Sequence, residues 1–203
     1  MLIYKVSPPR ESWLFEPSVF YRTADFKSSS TRPIPGYIRD ALLYAGDERE
    51  ISIHLFPNID RLRVWLDDGN RQRLAERGFA TEPGKQVAIF VNEADQAKIP
   101  DFKPTVYSFD AAEFERTPSN EFVSRQPVQA VGVEQFTMPV VLSRWRIQVI
   151  AVPDVNECEK RLRQAGIECS SQTGCRRSLS FRPLTASEES AGYQVICETE
   201  LKE

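Results

Sequence analysis

The chain has 203 residues, of which 41% are hydrophobic and 27% are charged, so it can form one large or two small globular domains. Its formal net charge of −3 excludes an overall field that would attract nucleic acid or an acidic membrane. No apolar run approaches the roughly 18 residues that cross a bilayer, and the N-terminus lacks a signal-peptide pattern. We therefore expect a cytoplasmic protein without membrane contact.

Hydrophobic periodicity and turn residues predict short strands that alternate with short helices. The predicted strands cover residues 2–6, 13–15, 18–23, 50–56, 86–91, 105–109, 121–124, 144–152, 167–169, 178–181 and 193–199. The predicted helices cover residues 37–45, 58–66, 71–77, 92–97 and 153–164. A polar stretch with two prolines at 27–35 predicts a loop or flap, which could close over a ligand beside a cleft.

This order of elements predicts an α+β fold. A main domain with a mixed, mostly antiparallel sheet is expected over residues 1–140. A small strand–helix–strand unit, about half of a ferredoxin-like unit, is expected over residues 141–203. The sequence contains no phosphate-binding glycine loop and no zinc-protease motif. Function must therefore be argued from individual side chains.

The four cysteines all lie in the last quarter of the chain, at Cys158, Cys169, Cys175 and Cys197. No two of them are separated by the two to four residues that zinc-binding pairs need. A cytoplasmic location favours thiols over disulfides. We expect buried or incidental thiols and no metal.

The stretch TVYSFDAAEFERTPSNEFVSRQPV at residues 105–128 contains the clearest candidate for an acid at a cleft. Residues 105–109 predict a buried strand, residues 117–120 a turn, and residues 121–124 a second strand. Glu121 therefore opens a strand directly after a turn, which is a common way to place a carboxylate at the edge of a cleft. A solvated glutamate at a strand end explains the same pattern.

His54 is the only histidine, and it lies on the polar side of the strand predicted at residues 50–56. With one histidine, a metal site built from several histidines is excluded. A serine–histidine–aspartate site could be built only around His54, and no motif identifies its serine. A structural or solvent-facing role is the alternative.

The elements between residues 51 and 133 resemble the split core of small bacterial ADP-ribosyltransferases. The order begins with a strand that contains His54, a helix, and a strand followed by a helix start. A further strand, a turn and a last strand that begins at Glu121 follow. Members of that family hold the nicotinamide ribose with a histidine or arginine on the first core strand. They place an aromatic, serine or threonine on the second strand and a catalytic glutamate near the start of a later strand.

This resemblance implies that His54 contacts the ribose, that Phe90 stacks on the nicotinamide, and that Glu121 is the catalytic acid. It also implies NAD as the cofactor and a macromolecular target. The chemistry needs a fixed carboxylate, because cleavage of the glycosidic bond of NAD passes through a cationic, oxocarbenium-like state.

A second hypothesis is a non-catalytic protein, for example an accessory or inhibitor protein of a bacterial mobile element. Arginines can pair with phosphates or with acidic surfaces of a partner, a protein more readily than a nucleic acid in this chain. The candidate contacts are Arg61, Arg63, Arg71, Arg73, Arg176 and Arg177. Interleaved acids such as Asp67 and Glu76 make a solvated helix face the alternative for the first group.

RNA contact through the C-terminal unit is a third hypothesis. It would use Trp145, Phe181 and Tyr193 as rings on which bases stack. Packing in the core is the alternative for these aromatic residues.

Overall fold

The computed structural model describes residues 1–26, 29–118 and 121–172, and the backbone of two further strands, Leu179–Arg182 and Ile196–Thr199. Helices combine with several sheets whose strands are mostly antiparallel, so the predicted α+β class is confirmed. No helix in the described ranges is long and apolar enough to cross a bilayer.

The elements are short, and they are numbered in chain order. The strands are β1 Leu2–Val6, β2 Leu14–Phe15, β3 Ser18–Arg22, β4 Ser29–Ser30, β5 Ile38–Ala45, β6 Arg61–Trp65, β7 Val87–Asn92, β8 Thr105–Asp110, β9 Glu115–Arg116, β10 Phe122–Ser124, β11 Val128–Gln129, β12 Gly132–Gln135, β13 Ile147–Val152, β14 Cys169–Gln172, β15 Leu179–Arg182 and β16 Ile196–Thr199. The α-helices are α1 Asp68–Glu76, α2 Glu93–Gln96, α3 Met138–Arg144 and α4 Val155–Gln164. The 3₁₀ helices are Glu50–Leu55, Ile99–Asp101 and Ala111–Glu113.

Three sheets surround the site described below. Their strand orders are β1-β8-β12, β4-β3-β5-β10-β9 and β13-β7-β6-β14. The first two sheets are joined where Tyr4 and Gly46 exchange backbone hydrogen bonds of 2.7 and 2.9 Å. Strand β13 runs parallel to β7, whereas β6 and β14 continue the third sheet in antiparallel fashion. Residues on both sides of the predicted domain boundary at residue 140 therefore share one sheet.

Strand β7 lies inside the third sheet and separates two apolar clusters. Ile89 belongs to the cluster around the 3₁₀ helix Glu50–Leu55, whereas Phe90 belongs to the cluster under α4. Successive side chains of a strand point to opposite faces, so both faces of β7 are covered. Helix α4 packs on the second face, and Asp154 caps its N-terminus by accepting hydrogen bonds from the backbone nitrogens of residues 156 and 157.

Several predicted elements are confirmed, and three are wrong. Residues 37–45 were expected to be helical but contain strand β5, which is paired on one side with β3 and on the other with β10. Residues 50–56 were expected to be a strand but contain a 3₁₀ helix. Residues 58–66 were expected to be helical but contain strand β6.

These errors have physical causes. Sheet partners on both sides override the helical spacing of β5. Asp47 lies just before the 3₁₀ helix Glu50–Leu55 and accepts hydrogen bonds at 2.9 Å from the backbone nitrogens of residues 49 and 50. These hydrogen bonds start the helical turn. Asn58 has a φ of 59°, which ends any helix there, and the following RLRVW alternates with a period of two.

Several predicted segments, among them those at residues 27–35, 117–120, 178–181 and 193–199, fall partly outside the described residues. Of the loop predicted at 27–35, residues 29 and 30 form β4, and Lys27 and Ser28 are not described.

The prediction of buried thiols concerns four cysteines. Cys158 and Cys169 are free and buried thiols. Cys175 and the side chain of Cys197 lie outside the described part of the chain.

The buried position of Phe90 yields a stability prediction. Its side chain is 0% exposed, and its ring packs edge-on against Phe79 with 5.1 Å between the ring centroids. We expect Phe90→Ala to lower the free energy of unfolding by about 3–5 kcal/mol, because it leaves a cavity in the core. Urea unfolding would measure this loss. The control Val131→Ala, at a side chain that is 61% exposed, should change stability by no more than about 0.5 kcal/mol.

Candidate functional site

A cavity of 530 Å³ opens where the three sheets meet. Its wall includes residues of β1, β5, β6 and β14, the 3₁₀ helix Glu50–Leu55 and the residue that precedes β10. The ionisable side chains in the wall are Tyr4, Lys5, Tyr44, Glu50, His54, Arg63 and Glu121. The volume lies within the range of small-molecule sites, roughly 300–1,000 Å³.

His54 enters the wall from the 3₁₀ helix, with a defined ring tautomer. Arg61 donates a hydrogen bond to the side-chain oxygen of Gln172, which fixes the orientation of the Gln172 amide. The amide nitrogen therefore donates to Nδ1 of His54, at 2.9 Å. In the neutral ring Nδ1 is then the acceptor, and Nε2 carries the proton.

The charge state of His54 follows from its surroundings. His54 is itself exposed in the wall of the cavity, but desolvation by the surrounding protein lowers its pKa to about 4, with contributions from the positive charges of Arg61, Lys5 and Arg63. The imidazole is therefore neutral near pH 7. It can offer a hydrogen bond to a ligand but no positive charge.

Arg63 is 5% exposed and lies next to His54 in the wall. It donates to the Glu50 carboxylate at 3.0 Å, to the Glu50 carbonyl at 2.8 Å and to the Ser170 hydroxyl at 3.2 Å. Its Nε is buried and has no hydrogen-bond partner among the described residues. These bonds orient the guanidinium group and leave one of its donors unused.

Lys5 comes from β1, and its amine donates to the Tyr44 carbonyl at 3.2 Å. No ion pair joins it to a carboxylate of the described residues. Burial lowers the pKa of Lys5, and the positive charge of Arg10 lowers it further. The wall therefore carries an amine whose positive charge is not neutralised locally.

Glu121 is held next to the start of β10 by hydrogen bonds with Thr117. Its backbone nitrogen donates to the Thr117 hydroxyl at 3.1 Å, and its carbonyl accepts from the Thr117 nitrogen at 2.8 Å. The neighbouring Tyr44 hydroxyl is buried without a hydrogen bond of acceptable geometry to a described residue. Burial raises the pKa of Tyr44, and the negative charge of Glu121 adds to this effect.

The wall of the cavity carries charges of both signs. The positive charges of Lys5 and Arg63 act on His54, whereas the negative charge of Glu121 acts on Tyr44. A ligand with both an anionic group and a cationic or cation-forming group would match this composition.

The structure brings together His54 and Glu121, which were predicted from separate stretches, but it does not add Phe90 to them. Phe90 is opposite Leu62 in the pairing of β6 and β7, so both side chains point away from the face on which Arg63 lines the cavity. The prediction that Phe90 stacks on a ligand is wrong because its ring is enclosed in the core.

The prediction that arginines contact a partner at the surface is wrong for Arg61 and Arg63, which are each 5% exposed. Arg71 is partly buried and donates to the carbonyls of residues 82 and 85. Arg73 is exposed and donates to the Asn70 side chain at 3.2 Å. Arg176 and Arg177 lie outside the described residues.

The aromatic residues proposed for RNA contact give no stacking surface in the described part of the chain. Trp145 is buried and packs edge-on against Phe136, with 5.2 Å between the ring centroids. The side chains of Phe181 and Tyr193 are outside the described residues.

Sequence reasoning missed Lys5 and Tyr44 as parts of the site. A signal for Lys5 was present, because it is the one charged residue in the otherwise apolar strand LIYKV. Among the described residues, no three histidine, cysteine, aspartate or glutamate side chains gather as a metal site.

Comparisons with protein-family models, with curated proteins and with solved structures find no match.

The single histidine allows a direct test of the site's electrostatics. In the untagged protein, one imidazole resonance should titrate by NMR with a midpoint near pH 4, because burial and nearby cations oppose protonation. In the Gln172→Leu variant, Nδ1 loses its donor and the midpoint should rise. A midpoint at or above 6.5 in the wild-type protein would contradict this account of the cavity.

The same shift makes stability depend on pH. The folded state keeps His54 neutral down to about pH 4, whereas the unfolded chain binds a proton near 6.5, so the unfolded state gains protons first as the pH falls. The stability difference between the wild-type protein and His54→Gln should be constant above pH 7. Between pH 6.5 and 4 the free energy of unfolding of the wild-type protein should fall relative to that of His54→Gln. Urea unfolding at several pH values would measure it, and parallel curves would contradict it.

Proposed function

We propose that the cavity binds NAD as a co-substrate and that the protein transfers its ADP-ribosyl group to a macromolecule. The observation that carries the proposal is that His54 and Glu121 line the same cavity although they come from distant parts of the sequence. The resemblance described from the sequence assigns both residues to this chemistry.

The charges of the wall support this assignment. NAD contains an anionic pyrophosphate and a ribosyl carbon on which positive charge develops when nicotinamide leaves. Lys5 and Arg63 supply cations to the wall of the cavity, and Glu121 supplies a carboxylate. Glu121 stabilises the developing positive charge, and this contribution lowers the barrier most when the carboxylate is already in place.

His54 acts as a neutral hydrogen-bond donor in this proposal. Its Nε2–H can hold a hydroxyl or phosphate oxygen of the ligand, since Nδ1 is occupied by Gln172. Tyr4, Phe20 and Tyr44 line the cavity and offer aromatic surface in place of Phe90. The ring that contacts nicotinamide is accordingly proposed to be one of these three.

The acceptor of the ADP-ribosyl group is proposed to be a protein rather than a nucleic acid, because the net charge of −3 does not attract phosphate backbones. The reaction balances without a redox partner. The bond from the ribosyl carbon to the nicotinamide nitrogen breaks, nicotinamide leaves with the electron pair, and the acceptor adds to the carbon and loses a proton. Water can serve as the acceptor, which provides an assay without a known target.

The test is release of nicotinamide from NAD, combined with calorimetric titration. The wild-type protein should bind NAD and release nicotinamide slowly. Glu121→Gln should bind NAD comparably but react on the order of 100-fold more slowly, because the neutral amide cannot stabilise the cationic transition state. The matched control is Glu113→Gln, at an exposed residue of the 3₁₀ helix Ala111–Glu113. It should behave like the wild-type protein.

Absence of both heat and nicotinamide release at about 10 mM NAD, above the usual KM range of about 1 μM to 1 mM, would refute the enzymatic proposal. The non-catalytic hypothesis would then be tested by capture of a protein partner.

A further inference from the structure

We propose that Lys5 and Arg63 form a phosphate-binding subsite, so that the ligand of this cavity carries a phosphate or pyrophosphate group. The inference rests on the proposed function in that it assigns the pyrophosphate of the co-substrate to two named side chains. Its chemistry nevertheless applies to any phosphate-bearing ligand.

The first argument is an excess of hydrogen-bond donors. A lysine ammonium has three N–H groups, and the described residues provide Lys5 with one acceptor, the Tyr44 carbonyl. The Nε of Arg63 has no partner among the described residues but is buried, so Arg63 contributes to the subsite through its positive charge and through its contact with Ser170. The Ser170 hydroxyl accepts a hydrogen bond from Arg63, so its own proton remains available. A phosphate group offers acceptor oxygens and suits a wall with this composition.

The second argument is the balance of charge around Lys5. Glu50 is paired with Arg63, at 3.0 Å, and no carboxylate of the described residues forms an ion pair with Lys5. His54 is neutral near pH 7, and Arg10 adds positive charge near Lys5. Among the described residues, the positive charge of Lys5 is therefore left without a local counterion. An anion supplied by the ligand would neutralise it and favour the protonated amine.

The third argument is that the subsite is held in position before a ligand arrives. Arg63 is fixed by two backbone carbonyls, those of Arg49 at 3.3 Å and Glu50 at 2.8 Å. Its guanidinium group also lies over the Trp65 ring, 4.4 Å from the centroid. Ordering an arginine side chain on binding costs free energy, and that cost is already met here by folding.

The experiment is calorimetric titration of the full chain with three probes: inorganic pyrophosphate, ADP-ribose and the phosphate-free nicotinamide riboside. Lys5→Met removes the charge and keeps much of the side-chain volume. It should weaken pyrophosphate and ADP-ribose about tenfold or more, because a charge-assisted contact is lost. Binding of nicotinamide riboside should change by less than about twofold.

Two further variants separate charge from structure. Lys5→Arg keeps the charge and should retain most of the pyrophosphate affinity. Lys103→Met removes a lysine that is exposed on the loop before β8, and it should bind all three probes like the wild-type protein. Lys5→Gln serves as a second neutral variant if Lys5→Met does not fold, as judged by thermal unfolding.

The outcomes distinguish this inference from the proposed function. Unchanged pyrophosphate affinity in a folded neutral variant would overturn the subsite, and so would an equal loss for the phosphate-free probe. Nicotinamide release that persists alongside such a result would leave the enzymatic proposal intact. Pyrophosphate binding that depends on Lys5 in a protein that neither binds nor cleaves NAD would support the subsite and refute the proposed function. If neither pyrophosphate nor ADP-ribose binds the wild-type protein, the subsite is wrong, and the titration and cleavage of NAD alone decide the proposed function.

Discussion

The two buried arginines of β6 hold the 3₁₀ helix Glu50–Leu55 against the third sheet, and the cavity depends on that contact. Arg61 donates to the carbonyls of Ile53 and Ile59, and Arg63 donates to those of Arg49 and Glu50. A buried guanidinium group is strongly destabilising unless its donors are paired. The same bonds satisfy carbonyls of a short helix that has few internal partners. These hydrogen bonds fix the 3₁₀ helix that carries His54, and they thereby determine the shape of the cavity.

The charge distribution of the cavity is a consequence of which strands meet there. Strand β1 brings Lys5 and β6 brings Arg63, whereas Glu121 arrives with β10 on the far side of β5. The backbone link between Tyr4 and Gly46 closes the gap between the first two sheets. Glu50 is paired with Arg63, whereas Lys5 has no carboxylate partner among the described residues. Desolvation, together with the positive charges of Arg61, Lys5 and Arg63, keeps the imidazole of His54 neutral.

Sequence reasoning identified elements whose signals are local and missed those decided by tertiary pairing. Helix α4 has an aspartate cap and an apolar stripe, and β7 is a continuous apolar run, so both were predicted. Strand β5 has helical spacing of its apolar residues, and only its two sheet neighbours make it extended. Strand β6 shows period two in RLRVW, but the alternation places arginines on a buried face, which hydrophobic patterning does not anticipate.

The same distinction explains which site residues could be predicted. Glu121 is positioned by its hydrogen bond with Thr117 and by the short strand β10. Turn-forming residues and a short β-forming run in the local sequence predict this arrangement. Phe90 was assigned to the wrong face because the face depends on the pairing of β6 with β7, where Leu62 lies opposite it. Lys5 required knowledge that β1 passes the cavity, yet a lysine within an apolar strand is costly unless a counterion or water is provided. The position of Lys5 in the wall of the cavity is therefore the feature that argues most directly for an anionic ligand.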